Sequence, residues 1–125
     1  MKTKSYYLLF AYLAVSLVVL AGFPFVQDAQ ATAPKSVDLS YDAASQTLTV
    51  TITHPSWAKS FHYVQYVNIK KNGADAGKNT YDNQPDSNTF TYTYKVPAVA
   101  GDTLEVTAIC SLWGETTSTL TVAKK

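Results

Sequence analysis

From Ser36 onward, apolar and polar residues alternate with a period of two. Leu48, Val50 and Ile52 fall on one side of a Thr-rich stretch, and Leu104, Val106 and Ala108 on one side of another. That period belongs to strands with one buried face. It predicts strands over Ser36–Asp42, Gln46–Thr53, Phe61–Lys70, Asn88–Val96, Thr103–Cys110 and Thr116–Ala123, with a weaker one near Lys78–Asp82. Turn-forming text separates them: Asp42-Ala43-Ala44-Ser45, Asn72-Gly73, Pro85-Asp86-Ser87-Asn88, Gly101-Asp102 and Trp113-Gly114. No stretch of this part has a helical period of useful length. About seven short strands in roughly ninety residues predict an all-β, immunoglobulin-like β-sandwich.

The first thirty-one residues follow a different pattern. Lys2 and Lys4 precede an apolar run from Tyr6 to Val26, broken by Gly22 and Pro24. The small-residue text Ala29-Gln30-Ala31 (or Ala31-Thr32-Ala33) comes next. That order predicts a secretory signal-peptide helix over residues 1–31, cleaved near Ala31 or Ala33, ahead of a sandwich domain over residues 32–125. At roughly twenty residues the run is also long enough to stay as an N-terminal membrane anchor. Either outcome places the folded domain outside the cytoplasm, as a periplasmic, secreted or cell-surface protein.

Charge narrows the partners. The formal net charge is +1, and every one of the ten basic residues is Lys. Without the leader, eight Lys face eight Asp and Glu, because Lys2, Lys4 and Asp28 go with it. A nucleic-acid binder needs a basic face and usually Arg forks, so that class is set aside. Cys110 is the one cysteine. No intramolecular disulfide is possible, and an unpaired thiol outside the cytoplasm calls for burial or metal ligation.

Parity points to where chemistry would sit. His54 continues the face of Leu48, Val50 and Ile52, Cys110 continues the face of Leu104, Val106 and Ala108, and His62 shares a face with Val64 and Tyr66. The two histidines lie eight residues apart and are the chain's full complement. Imidazole and thiolate are the preferred ligands of iron, copper and zinc. His54, His62 and Cys110 are therefore the candidate metal ligands, against the plainer reading that each fills core space. The alternating Phe90, Tyr92 and Tyr94 read as core, and Trp57 as a loop residue able to wall a pocket.

The text around these residues resembles a known family. His54-Pro55 through Phe61-His62-Tyr63-Val64, and Ala100-Gly101-Asp102 through Ile109-Cys110-Ser111-Leu112-Trp113-Gly114, are similar to the His-Pro…His-Tyr-Ile and Ala-Gly-Asp…Cys-Asn-Leu-His-Gly segments of the superoxide reductase (desulfoferrodoxin) family. The resemblance implies an immunoglobulin-like sandwich and a ferrous ion held by four equatorial imidazoles and an axial thiolate. It also implies an electron-donor protein as partner and reduction of superoxide to hydrogen peroxide. By motif position His54 and His62 match two imidazoles and Cys110 the thiolate.

Two of the family's ligands have no counterpart here. Pro34-Lys35-Ser36-Val37 stands where an earlier His is expected, and Trp113 where the last His would be. The loop between His54 and His62 is two residues longer than usual. A carboxylate such as Asp38 or Asp42, or a backbone carbonyl, would be needed to fill the set. Copper on a His₂Cys set is the alternative cofactor, and a metal-free binding or structural module of the same fold is the alternative function.

Overall fold

The computed structural model describes residues 32–124, so the expected leader or anchor over residues 1–31 lies outside the described residues. Among them there are seven strands: β1 (Ser36–Asp42), β2 (Thr47–Thr53), β3 (Val64–Lys71), β4 (Ala74–Thr80), β5 (Thr89–Lys95), β6 (Thr103–Cys110) and β7 (Glu115–Thr121). They form two antiparallel sheets, β1-β2-β5 and β4-β3-β6-β7. The β-branched, period-two text supplies the buried faces. Leu48, Val50, Ile52 and Phe90 of one sheet, with Val37, meet Val64, Val67, Ile69, Leu104, Val106 and Ala108 of the other. This is the predicted sandwich, with interdigitated inner faces.

Two strand expectations need correction. The seventh strand is β4, at Ala74–Thr80 rather than near Lys78–Asp82. Asn72 and Gly73 both have positive φ, 51° and 82°, as a tight hairpin turn requires, so the next strand starts at once. Its text, Ala-Asp-Ala-Gly-Lys-Asn-Thr, is poor in strand formers because it is an edge paired on one side only. The third strand also begins later than expected, at Val64, leaving His62 in the preceding loop. A register shift between Val64 and Tyr66 then changes the parity: Val64, Val67 and Ile69 point inward and Tyr66 is exposed. Tyr66 therefore does not share the face of His62.

The tyrosines close one flank. The rings of Tyr81 and Tyr92 stack at 4.3 Å, and the hydroxyls of Tyr81 and Tyr94 lie 2.6 Å apart. Phe90 is buried, while Tyr92 and Tyr94 are half-buried against the same core.

Candidate metal centre

One end of the sandwich gathers the finishes of β2 and β6 and the starts of β1, β3 and β5. His54 arrives there because the β2 ladder runs one residue further. Pro55 restricts His54 to extended backbone, and its N–H donates to the Asn88 carbonyl at 2.7 Å. The inward parity of Ile52 thus passes to His54, which is only 1% exposed. Cys110 ends β6 on the corresponding inward face, opposite Val64 of β3. Its N–H donates to the Gly114 carbonyl at 2.9 Å, closing the loop to β7.

His62 reaches the same place through a wound loop. The N–H groups of Phe61 and His62 donate to the Ala58 carbonyl, at 3.0 and 2.7 Å, and the Ser56 hydroxyl donates to the His62 carbonyl. Ser111 fastens this loop to the end of β6. Its hydroxyl donates to the Phe61 carbonyl at 3.0 Å and accepts from the Tyr63 N–H at 3.1 Å.

One ligand atom from each of His54, His62 and Cys110 lies within 4.8 Å of the other two, and all three residues are buried. Atoms so spaced lie within that length divided by √3 of a common point, about 2.8 Å, so a contraction of about 0.5–0.8 Å reaches metal–ligand bonds of roughly 2.0–2.3 Å. Among the described residues no carboxylate joins the group. Asp38 and Asp42 are exposed along β1, and neither joins the three ligands, contrary to expectation.

Hydrogen bonding shows what the two imidazoles lack. Gln84 is buried, and its amide nitrogen donates to the carbonyls of His54 and Asp86, both at 2.8 Å. Its Oε1 must then be the acceptor of hydrogen bonds from His54 Nδ1 at 2.8 Å and from the Val64 N–H at 3.3 Å. His54 Nε2 is left facing the Thr32 carbonyl oxygen at 2.9 Å, an arrangement satisfied only by a proton or a cation at that nitrogen. His62 is barer still: both ring nitrogens are buried and neither makes a hydrogen bond. Burial holds its pKa below the usual imidazole value, and the neighbouring His54, 4.6 Å away ring to ring, lowers it further; the nearby Thr32 backbone offsets only part of this. His62 thus offers a nitrogen lone pair that no hydrogen bond occupies. At Cys110 the Leu112 N–H points at the sulfur from 3.5 Å. These features fit a metal held by two imidazoles and a thiolate.

Gln84 and Thr32 escaped the sequence reading, since a Gln in a polar turn and a backbone carbonyl carry no signature. Pro34-Lys35-Ser36-Val37, where an earlier imidazole is expected, adds no side chain to the group, and the Thr32 carbonyl just before it lies 2.9 Å from His54 Nε2. Trp113 projects its ring outward, 66% exposed, and only its carbonyl turns back, to accept the Thr32 hydroxyl. Trp57 is 77% exposed, with its ring 6.4 Å from that of His62 and 5.6 Å from that of Phe61.

No family model and no curated protein matches the sequence. Solved structures do match by shape. A superoxide reductase (neelaredoxin) from Ignicoccus hospitalis is 15% identical, covering 74% of this chain and 80% of that one with a TM-score of 0.47. Two variants of the same protein are 15% and 13% identical. They cover 80% and 83% of this chain and 86% and 88% of theirs, with TM-scores of 0.50 and 0.49. At 15% identity and a TM-score of 0.50, the likeness shows that this chain has a superoxide reductase-like fold.

Proposed function

We propose that this chain is an exported, superoxide reductase-like protein that binds one iron ion through His54, His62 and Cys110 and reduces superoxide with electrons from a donor protein. The observation that carries the reading is His62. A buried imidazole with both nitrogens unpartnered costs about 1–3 kcal/mol per abandoned group, and a metal ion removes that cost at one of them. The shared fold supports iron over other metals. Iron, when bound, would supply the one-electron step, its potential set partly by electron density from the thiolate.

The chain's own residues do the rest. Gln84 fixes the tautomer of His54 with the proton on Nδ1, directing Nε2 to the ligand position. The Leu112 N–H, 3.5 Å from the Cys110 sulfur, helps to fix its position. Three protein donors leave coordination positions open for a small anion. Superoxide taking one electron and two protons yields hydrogen peroxide. The test is anaerobic production of the full chain with ferrous iron. One iron per chain, oxidised by superoxide with release of peroxide and absent from Cys110→Ser, is expected. Folded protein that takes no iron would contradict it.

A second reading rests on Thr32. Two imidazoles and a thiolate beside a backbone carbonyl also make the donor set of blue-copper sites, and the Thr32 oxygen lies 2.9 Å from His54 Nε2. Equimolar Cu(II) and Fe(II), offered under conditions that keep Cys110 reduced, would decide it. Copper retention with an intense thiolate charge-transfer band supports the copper reading.

A further inference from the structure

The segment Thr32–Lys35 is strapped over the cluster by contacts on both sheets. The Thr32 hydroxyl donates to the Trp113 carbonyl, and the Thr116 hydroxyl donates to the Pro34 carbonyl. The Lys35 N–H donates to the Thr53 carbonyl at 2.7 Å. Ala33 rests on Gly114 so closely that a Cβ added there would meet the Ala33 Cβ at 2.9 Å and its backbone nitrogen at 3.0 Å. These contacts hold the Thr32 carbonyl against His54 Nε2. The α-nitrogen of the same residue is separated from that oxygen by three bonds, so it lies roughly 3 Å from it. Ala29-Gln30-Ala31 ends immediately before Thr32, and cleavage there would turn this backbone amide, which cannot bind a metal as it stands, into a primary amine.

We infer that the α-amino group of Thr32, freed by cleavage after Ala31, is a further nitrogen donor to the metal held by His54, His62 and Cys110. The inference rests on the metal-binding reading above. It gives the export signal a second consequence, since the ligand set is completed only when the leader is removed. The strap of residues 32–35 positions the new terminus, and Gly114 provides the room for it.

The test uses the full chain exported from a bacterial host, with the mature terminus read by intact mass and cobalt(II) as the probe under anaerobic conditions. A second chain carries one glycine inserted after Ala31, which leaves the cleavage text intact and moves the amine one residue away. A third carries Thr119→Ser, exposed on β7 and outside the cluster. A terminus at Thr32, a cobalt–thiolate band, and affinity lowered by at least about tenfold in the insertion chain but unchanged in Thr119→Ser would support the inference. A mature terminus elsewhere, or equal affinity in the parent and insertion chains, overturns it while leaving the metal reading intact. Absence of cobalt and iron binding from all three chains removes the metal reading itself, and the inference with it.

Discussion

Gln84 and His54 hold one another from both sides: the Gln84 amide oxygen accepts from His54 Nδ1 at 2.8 Å, and its amide nitrogen donates to the His54 carbonyl at 2.8 Å. The side chain also satisfies the Asp86 carbonyl and the Val64 N–H. One buried residue thus orients the ring, ties down its backbone and anchors the start of β3. Gln84→Leu strands several buried polar groups at a cost of about 1–3 kcal/mol each. We expect a loss of about 3 kcal/mol or more in urea denaturation of the metal-free protein. Metal affinity should fall about 10–100-fold, because the ring is no longer oriented. Unchanged affinity would show that His54 needs no such support.

His62 makes the opposite prediction for stability. Its ring nitrogens have no partner to lose, so replacing the imidazole by an apolar side chain of similar size removes a penalty. His62→Leu should stabilise the metal-free protein by about 1 kcal/mol or more and abolish metal binding. Denaturation curves with and without metal measure both effects. Destabilisation of the metal-free variant would mean that the imidazole serves the fold.

Gly114 is the narrow point of the strap. Its φ of +93° disfavours any side chain, and its α-carbon lies under Ala33. Gly114→Ala should cost about 1–3 kcal/mol and raise hydrogen exchange at the Lys35 amide, which is bonded to Thr53. Exchange at the β3–β6 ladder should change far less.

The tyrosine flank sets the alkaline limit. Burial, with Tyr81 beside it, pushes the Tyr92 phenol up to about 12, and burial together with the Tyr81 hydroxyl raises Tyr94 further. Both pKa values are raised by folding, so above about pH 10 the unfolded chain loses protons that the native state keeps. Stability from this source is complete below about pH 10 and declines as pH rises toward 12. Melting temperature against pH, with tyrosinate absorbance recorded alongside, should show the decline starting near 10. Tyr81→Phe should lower the pH at which Tyr94 ionises.

Much of this was legible in the text of the chain. Strict alternation through Leu48, Val50 and Ile52, and through Leu104, Val106 and Ala108, carries His54 and Cys110 inward at strand ends, where both are found. Alternation fails where the backbone departs from a flat ladder. The register shift after Val64 reverses Tyr66, and the Asn72-Gly73 hairpin starts a strand whose polar composition hides it. His62 becomes inward-facing through loop hydrogen bonds to Ala58 and Ser56 rather than through period two. Gln84 and the Thr32 carbonyl gain their roles only from long-range closure, across thirty and twenty-two residues from His54.

If two imidazoles and one thiolate share a single ion, X-ray absorption at the iron edge of the anaerobically loaded full chain will show it. The expected spectrum has one sulfur scatterer at about 2.3 Å and nitrogen scatterers at about 2.0–2.1 Å, the sulfur being lost in Cys110→Ser. A first shell of oxygen alone, or the same spectrum with and without Cys110, would contradict it.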